Sequence, residues 1–396
     1  MQQQSNLMPS RAEMFAILEA RISPLAKTET LPVSRLCGRV TAQDILSRHA
    51  LPNTQCASCD GIAFQYEGLI KGTRTWLEGK DYAFCNTGCA IDEQYDTMIE
   101  IECVQLDEEG QLSLTRLPEK RGEGIVPAGK QMRAGEVLAC AGEQITPSLL
   151  GILASGGIQE ALVLQKPKVA FLPTGDELVP LGTAPLPPGG SPESNGLMLQ
   201  AYLAQWGCEA VVFPIVRDDP VALRAAVTRA LAEADFVLIC AGSSKGTKDY
   251  TKSTLAEMGK MLVQELDHGP GKHCSLFMIE GKPIMGLPGP PGGADLTARL
   301  YVQAAVRKLL RQPIPRPYTV EAELSKPVSG PPFDFIIRLR LFEREGRMMA
   351  EPVLGFGSTR REGYLAANAQ FYLEGGLRLQ AGDRVLAEWL TEPEYI

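Results

Sequence analysis

The spacing of hydrophobic and polar positions divides the chain into segments of different structure. Residues 10–13 (Ser-Arg-Ala-Glu) form a capping-box pattern that predicts the start of a helix. Over residues 31–141 short apolar runs are separated by Gly, Pro and Asn, and polar and apolar residues alternate at 97–102. This pattern predicts one or two small β-rich domains. Helical patterning returns at residue 147 and ends at a Gly pair, 156–157.

From residue 168 onwards, buried-strand runs alternate with amphipathic segments, which is typical of an open, mostly parallel α/β sheet. The predicted strands and helix starts are, in chain order, 169–172, 194–195, 211–213, 219–220, 236–240, 283–285 and 294. Ligands bind such sheets outside the carboxyl ends of the strands, which here continue into the loops 173–177, 241–249 and 286–293. A Pro-rich linker at 313–317 precedes short alternating runs that predict a C-terminal β domain.

Composition narrows the class of protein. The chain has 396 residues, 44% hydrophobic and 22% charged, which is enough apolar material for two to four domains. Its net charge of −8 argues against non-specific nucleic-acid binding, which needs a basic surface. No run approaches the ~18 apolar residues of a membrane span, and residues 1–6 lack the regions of a secretory signal. We therefore expect a cytoplasmic, multidomain protein without nucleic-acid or membrane partners, in which most of the ten cysteines are reduced.

The loop at 241–249 has the composition of an anion-binding site. Its glycines let backbone amides approach a phosphate, and Lys245 and Lys248 add positive charge just before a predicted helix. The plain alternative is an ordinary strand-to-helix turn with solvated lysines. The loop also fits the G-x-S-x-G elbow of hydrolases with Ser244 as nucleophile, but the two downstream histidines follow too soon for the usual hydrolase order.

Two carboxylates, Asp176 and Glu177, lie at the end of the first predicted strand of the α/β region. Carboxylates beside a phosphate-binding loop commonly hold Mg²⁺, a hard cation that prefers oxygen ligands. The alternative is a solvated turn in which Asp176 satisfies backbone amides. The sequence therefore leaves a magnesium site and a plain turn both open.

Two cysteine pairs lie in the β-rich region. Cys56 and Cys59 have zinc-ligand spacing, and Cys85 and Cys89 are close to it. Four thiolates could form a zinc site if the two pairs converge, and otherwise they are plain reduced thiols.

Taken in order, these segments resemble the MoeA family, the molybdopterin molybdenumtransferases, which includes the C-terminal domain of gephyrin. The resemblance covers nearly the whole chain, and its several ordered motifs are together specific. The matching stretches are 59–63 (CDGIA, like MDGYA), 86–90 (NTGCA, like MTGAP), 171–178 (like STGDEL), 194–195 (like SN), 216–220 (like V-x-DDP), 241–250 (like SGGVSVGxxDY), 270–272 (like PGKP), 286–289 (like GLPGNP) and 367–368 (AN).

The resemblance implies an elongated homodimer of four-domain subunits. It predicts a discontinuous N-terminal domain at 1–47 and 133–166, with an inserted β-rich domain at 48–132. A molybdopterin-binding α/β domain would follow at 167–312 and a C-terminal β domain at 313–396. The predicted fold class is therefore a multidomain α/β and β protein built around an open, mostly parallel sheet.

The implied reaction is a transferase step of molybdenum cofactor biosynthesis: insertion of molybdate into adenylylated molybdopterin with Mg²⁺, releasing AMP. By matching position, Asp60, Glu177 and Asp249 are the predicted catalytic carboxylates, and Glu177 and Asp249 the predicted metal ligands. The predicted binding residues for the pterin substrate are Thr174, Gly175, Asp176, Gly242, Ser244, Lys245, Gly246, Lys248, Lys272, Pro288 and Gly289. A molybdopterin adenylyltransferase and molybdoenzyme acceptors are the implied protein partners.

Departures from the family motifs cluster at this predicted site. Gly124 stands where the family has a carboxylate (GEG for GED), and Pro290-Pro291 replaces the Asn-Pro of GLPGNP. Ile62 replaces a tyrosine of the family, and Lys245 a small apolar residue. These changes leave a second hypothesis open, a non-catalytic paralogue that carries molybdopterin or the finished cofactor.

Overall fold

The computed structural model describes residues 8–70, 76–108, 112–241, 250–314, 316–353 and 366–390. Contacts divide the chain into two compact units. We call Thr28–Leu164 the inserted unit, and Met1–Lys27 together with Gln165–Ile396 the main unit. The finer four-domain boundaries stay predictions. Within the described ranges, none of the helices is long and apolar enough to traverse a bilayer.

The first helix, α1 (Arg11–Arg21), belongs to the main unit. The Ser10 hydroxyl accepts a hydrogen bond from the Glu13 N–H at 3.3 Å, and the Glu13 carboxylate accepts one from the Ser10 N–H at 2.9 Å. Both bonds satisfy N–H groups that the first helical turn leaves without partners. The capping box predicted from the sequence is therefore confirmed.

The inserted unit is built from short strands in several small sheets. Its elements are β1 (Thr28–Pro32), β2 (Ile45–Leu46), β3 (Cys56–Ala57), β4 (Gly61–Phe64), α2 (Tyr66–Ile70), β5 (Tyr82–Cys85), β6 (Thr97–Glu100), β7 (Val104–Leu106), β8 (Leu112–Leu114), β9 (Ile125–Val126), β10 (Val137–Ala139), α3 (Pro147–Ser155) and β11 (Glu160–Leu164). The largest sheet has the order β5-β4-β6, and the other strands form two-stranded pairs. The predicted β-rich texture is confirmed, and so is the helix that ends at the glycine pair.

The main unit contains an α/β sheet followed by a small barrel. Its further elements are β12 (Lys168–Pro173), β13 (Leu178–Val179), β14 (Ser191–Pro192), α4 (Asn195–Gln205), β15 (Glu209–Val212), α5 (Pro220–Glu233), β16 (Phe236–Ala241), α6 (Tyr250–Met258), β17 (Lys260–Val263), β18 (Ser275–Ile279), β19 (Lys282–Pro288), α7 (Pro291–Thr297), α8 (Gln303–Leu309), β20 (Thr319–Leu324), β21 (Val328–Ser329), β22 (Phe335–Arg344), β23 (Arg347–Pro352), β24 (Ala369–Leu373), β25 (Arg378–Leu379) and β26 (Arg384–Trp389).

The α/β sheet has six strands in the order β15-β12-β16-β19-β18-β17. The first three pairings are parallel and the last two antiparallel, so the predicted open, mostly parallel sheet is confirmed. Strands β17 and β18 were not predicted. The chain leaves β12 towards β15 on one side, while β16 lies on the other side. This reversal of direction creates a topological switch point, where α/β sheets bind their ligands.

The helices pack on the sheet through apolar faces. Asp219 caps α5 by accepting the Ala222 N–H at 2.7 Å, with Pro220 in the first helical position. The apolar face of α5 is buried against β12 and β16, and it consists of Leu223, Val227, Ala230 and Leu231. The C-terminal strands β20, β23, β22, β24 and β26 close into a barrel with its own apolar core, which confirms the predicted C-terminal β domain.

Candidate functional site

The carboxyl ends of β12, β16 and β19 are tied together by side chains. The Thr174 hydroxyl donates to the Cys240 carbonyl at 2.7 Å. The Asn195 amide Nδ2 donates to the Gly289 carbonyl at 2.9 Å and lies 3.0 Å from Cys240 Sγ. The Cys240 thiol in turn donates to the Pro288 carbonyl at 3.3 Å. Three strand ends and the start of α4 therefore form one connected framework at the switch point.

The start of α4 differs from the sequence prediction in one detail. The helix begins after Ser194, as predicted, but the Ser194 side chain makes no capping hydrogen bond. Glu193 performs this role, because its Oε1 accepts the Gly196 N–H at 2.9 Å. The Asn195 side chain is buried and turned towards Gly289 and Cys240 instead.

A cavity of about 320 Å³ lies at this framework. Predicted site residues Thr174, Glu177 and Gly289 line it, together with residues that the sequence prediction did not assign to the site: Leu178, Ser191, Pro192, Glu193, Ser194, Asn195, Cys240, Pro290 and Pro291. The volume falls in the range of small-molecule sites. The main unit therefore places a cavity with both polar and apolar lining where an α/β sheet is expected to bind its ligand.

Carboxylates give this end of the sheet a negative potential. Burial raises the pKa of Asp218, and the neighbouring charges of Asp176 and Glu177 raise it further. Burial likewise raises the pKa of the Cys240 thiol to about 12, with added repulsion from Glu193 and Glu177. Four carboxylates thus act on the same region, and a bound cation would relieve their repulsion.

Gly175 makes room for Glu177. The φ angle of Gly175 is +141°, and a Cβ atom there would lie 2.6 Å from Glu177 Oε2. A side chain at residue 175 would therefore displace the Glu177 carboxylate. Glycine at 175 therefore leaves this space free for the Glu177 carboxylate, and its role in substrate binding stays a prediction.

The structure describes only the two ends of the predicted phosphate-binding loop. Strand β16 ends at Ala241 and α6 begins at Tyr250, so the loop starts at the carboxyl end of the central strand, as predicted. The predicted site residues Gly242, Ser244, Lys245, Gly246, Lys248 and Asp249 lie outside the described residues.

Three other predicted binding residues do not line this cavity. Asp176 is exposed, and its Oδ1 accepts the Asp218 N–H at 3.4 Å. The Lys272 ammonium lies 6.0 Å from the centre of the Phe333 ring and does not line the 320 Å³ cavity. Pro288 is buried at the end of β19. Thr174, Glu177 and Gly289 therefore line one cavity, whereas Asp176, Lys272 and Pro288 do not line it.

The third predicted carboxylate, Asp60, lies in the inserted unit. Its Oδ1 accepts hydrogen bonds from the Thr87 N–H at 2.7 Å and from the Thr87 hydroxyl at 2.9 Å. These bonds hold the pKa of Asp60 below its ordinary value. Two stretches that resemble family motifs, 59–63 and 86–90, thus meet through one fully ionised, exposed carboxylate.

A Thr87→Val variant is expected to raise the pKa of Asp60 towards its ordinary value. The shift should be partial, because the backbone N–H of residue 87 remains as the stronger donor. Carboxyl ¹³C titration by NMR measures the change, with Thr115→Val in the same unit as the control. An unchanged Asp60 titration in Thr87→Val would show that the hydroxyl does not hold the carboxylate.

Gly124 occupies a position where a side chain would be strained and would contact Met98. Its φ angle is +71°, and a Cβ atom there would lie 2.3 Å from Met98 Cγ. The preceding Glu123 is occupied by an ion pair with Arg116 at 2.7 Å, which lowers the pKa of Glu123. A carboxylate therefore cannot be restored at position 124 without displacing the buried Met98 side chain.

We expect Gly124→Ala to destabilise the inserted unit by about 2–4 kcal/mol, from left-handed backbone strain and overpacking against Met98. Gly122→Ala is the matched control, because Gly122 also has positive φ (+86°) but nothing within 4 Å of its Cβ position. This control should lose only about 1–2 kcal/mol. Urea denaturation measures both, and equal losses would contradict the Met98 contact.

The four cysteines considered for zinc do not form a metal centre. Burial raises the pKa of the Cys85 thiol, with smaller contributions from Cys59, Cys89 and Asp60, so these groups are neighbours. Within the described ranges, which include all four cysteines, no three His, Cys, Asp or Glu side chains form a group that could hold a metal ion. The zinc hypothesis is therefore not supported, and all ten cysteines are free thiols.

The hydrolase alternative finds no support among the described histidines. His268 is fully buried, with Nε2 2.6 Å from the Tyr301 hydroxyl oxygen. Burial, together with the charge of Arg11, lowers the pKa of His268 to about 4. His273 Nδ1 lies 3.1 Å from the Glu265 carboxylate. Neither histidine lines the cavity at the switch point.

Comparison with known proteins agrees with this architecture. Residues 10–157 match the model of the MoeA N-terminal region (domain I and II), and residues 170–308 match the probable molybdopterin binding domain. A solved molybdopterin biosynthesis MoeA protein from Pyrococcus horikoshii superposes with a TM-score of 0.81 at 26% identity, over 97% of this chain and 99% of that one. The fold class is therefore that of the multidomain MoeA proteins.

Two molybdopterin molybdenumtransferases are similar to this protein over most of the chain. The molybdopterin molybdenumtransferase of Haemophilus influenzae is 31% identical over 300 residues, 72% of this chain and 74% of the relative. That of Bacillus subtilis is 28% identical over 391 residues, 93% of this chain and 91% of the relative. The chain belongs to the molybdopterin molybdenumtransferase family.

Proposed function

We propose that this protein inserts molybdate into adenylylated molybdopterin and releases AMP, as a transferase of molybdenum cofactor biosynthesis. The observation that carries the proposal is the position of Glu177, which lines the cavity at the switch point beside Thr174 and Gly289. Membership of the transferase family favours this reaction over the carrier role.

Each residue has a definite task in this proposal. Thr174 and Asn195 hold the strand ends in register through Cys240 and Gly289, so the cavity is formed before the substrate binds. Backbone amides and lysines of 242–248 bind the pterin phosphate. Glu177 and Asp249 orient the reacting groups, and Asp60 supplies a further ionised carboxylate.

Magnesium fits the donor set of this proposal. Glu177 and Asp249 would hold the ion, since carboxylate oxygens are the ligands that Mg²⁺ prefers. Burial and, to a smaller extent, repulsion from Asp176 and Glu177 raise the pKa of Asp218, and a divalent cation would relieve that repulsion. When bound, Mg²⁺ supplies positive charge next to the anionic substrates.

We further propose that the protein is a homodimer and works between a molybdopterin adenylyltransferase and molybdoenzyme acceptors. Size-exclusion chromatography with light scattering should give twice the chain mass of 42.9 kDa. A molecular mass equal to one chain at micromolar concentration would contradict the homodimer without affecting the proposed reaction.

Reconstitution tests the proposed reaction. The protein is incubated with adenylylated molybdopterin, Mg²⁺ and molybdate, and the product is transferred to a molybdoenzyme that lacks its cofactor. Acceptor activity that requires both this protein and molybdate is the expected result, and a parallel reaction with tungstate reports oxyanion choice. No acceptor activity, with intact adenylylated substrate recovered in bound form, would instead favour the carrier role.

A further inference from the structure

Three thiols of the inserted unit lie close to Asp60. Cys59 and Cys85 are half-buried, and both pack against the apolar cluster around Met98, whereas Cys89 is exposed. In the family motifs that these stretches resemble, a methionine stands at the position of Cys59 and an alanine at that of Cys89. The motifs themselves therefore give no reason for thiols at these two positions.

The strand register places Cys59 and Cys85 on the same face of the hairpin. Strands β4 and β5 pair antiparallel with Gly61 directly opposite Cys85. Side chains alternate along a strand, so residues 59 and 61 share the face on which Cys85 lies. The Cys85 thiol donates to the Gly61 carbonyl at 3.5 Å, and Gly61 has no side chain that could separate the two sulfur atoms. Cys59 and Cys85 are therefore diagonal neighbours across the hairpin.

Electrostatics agrees with this proximity. Burial raises the pKa of the Cys85 thiol, and Cys59 makes the largest contribution among the neighbouring groups that raise it further. Thiolate is the reactive form of cysteine, so Cys85 has less of it than an ordinary thiol. Of the two, Cys59 is therefore the better first nucleophile.

A small movement would bring the pair within bonding range. Diagonal neighbours lie about 7–8 Å apart, and a disulfide needs Cα atoms about 4.4–6.8 Å apart, so a shift of about 1 Å closes the gap. Residues 58–60 form a bend between β3 and β4 and belong to neither strand, so they can move without breaking the β4–β5 ladder. A bond closed in this way is strained, and strained disulfides are readily reduced again.

We propose that Cys59 and Cys85 form a reversible disulfide when the protein meets a low-molecular-weight disulfide. The Cys59 thiolate attacks one sulfur of the oxidant, whose S–S bond breaks and releases one thiolate. The Cys85 thiol then loses its proton and attacks Cys59 Sγ, which releases the second thiolate. The two protons from the protein end on the released thiolates, and two electrons pass to the oxidant. The bond does not depend on the proposed transferase reaction.

Oxidised glutathione added to the reduced full-length protein tests the assignment. Alkylation of the unfolded product should find two fewer thiols than the ten of the reduced chain. Mass spectrometry of proteolytic fragments should show Cys59 linked to Cys85, and dithiothreitol should restore all ten thiols. A bond that joins Cys89 to either residue, glutathione bound without an intrachain bond, or no loss of thiols would each overturn the assignment.

Serine variants identify the two partners. Cys59→Ser and Cys85→Ser should each form about tenfold less intrachain disulfide, because the remaining thiol has no partner at bonding range. The matched controls are Cys37→Ser and Cys140→Ser, which remove exposed thiols of the same unit, and both should oxidise like the wild type. Cys89→Ser should also oxidise normally, and loss of the bond in that variant would make Cys89 the partner and overturn the assignment.

The disulfide also has an expected effect on Asp60. Movement of Cys59 towards Cys85 carries the next residue, Asp60, away from Thr87, whose N–H and hydroxyl bond its carboxylate at 2.7 and 2.9 Å. These bonds lower the pKa of Asp60, so oxidation should raise it towards its ordinary value. Carboxyl ¹³C titration compares oxidised wild type with Cys85→Ser treated in the same way. Equal Asp60 titrations in the two samples would overturn the link between the thiols and Asp60.

Discussion

Replacing Glu177 with Gln is expected to lower molybdate-dependent AMP release by about 10²–10³-fold, the range seen when a group that stabilises developing charge is removed. Glutamine keeps the shape of the side chain but removes its negative charge, so it binds a cation poorly and orients the reacting groups less well. Glu177 is exposed to the cavity and not part of an apolar core, so the thermal midpoint should change little.

Glu257→Gln is the matched control for this variant. Glu257 is an exposed carboxylate on α6 that pairs with Arg224 and does not line the cavity at the switch point. Glu257→Gln should keep wild-type turnover. Glu177→Gln should still bind the substrate measurably, although it turns it over slowly. Full AMP release by Glu177→Gln would remove Glu177 from the site.

Replacing Asp295 with Ala is expected to destabilise the main unit by about 3–5 kcal/mol, the usual effect of removing one member of a buried ion-pair cluster. Asp295 lies on α7 with its side chain only 4% exposed. It accepts a hydrogen bond from the Tyr202 hydroxyl at 2.6 Å and pairs with Arg299 at 3.3 Å and with Arg338. These contacts join α4, α7 and the barrel strand β22.

The pKa of Asp295 supports this expectation. Burial alone would raise it, but Arg299, Tyr202 and Arg338 together hold the pKa below its ordinary value. Asp295 is therefore ionised at neutral pH, and its loss leaves two positive charges in a desolvated place.

Glu233→Ala provides the comparison for Asp295→Ala. Glu233 forms an exposed ion pair with Arg229 on α5, and such pairs contribute roughly 0–1 kcal/mol. Urea denaturation followed by fluorescence measures both variants. A loss in Asp295→Ala no larger than that in Glu233→Ala would contradict the structural role of the cluster.

The local features of the fold could be predicted from the sequence. Helix α5 follows from Asp219 as cap, Pro220 in the first position and apolar residues at helical spacing. The capping box of α1 follows for the same reason, since its partners are three residues apart. Ser194 shows the limit, because it occupies the N-cap position but the side chain of Glu193, not its own, accepts the hydrogen bond from the Gly196 N–H.

The composition of the site could be predicted only in part. Thr174, Glu177 and Gly289 follow from motifs at strand ends, where parallel strands bring ligand groups together. Asn195 and Cys240 were not assigned to the site, because their contacts join residues 94 and 45 positions apart. In the sequence, Asn195 and Cys240 are an amide and a thiol at the ends of predicted elements. Such residues are too common at these positions to indicate a binding site.

The structural effect of residues that depart from the family motifs also could not be predicted from the sequence. Gly124 suggested a simple loss of a carboxylate, whereas its positive φ and the nearby Met98 show a backbone position that favours glycine. Pro291 suggested a rebuilt loop, yet it occupies the first turn of α7, where proline is well tolerated. Neither change by itself argues against catalysis.

Release of AMP from adenylylated molybdopterin tests the central claim most directly. The wild-type protein is mixed with the adenylylated substrate, with molybdate and Mg²⁺ each present or absent, and AMP is quantified by chromatography. We expect release only when both are present, with one AMP formed for each substrate consumed. Tight binding of the substrate without release under any of the four conditions would contradict the transferase and identify the protein as a carrier.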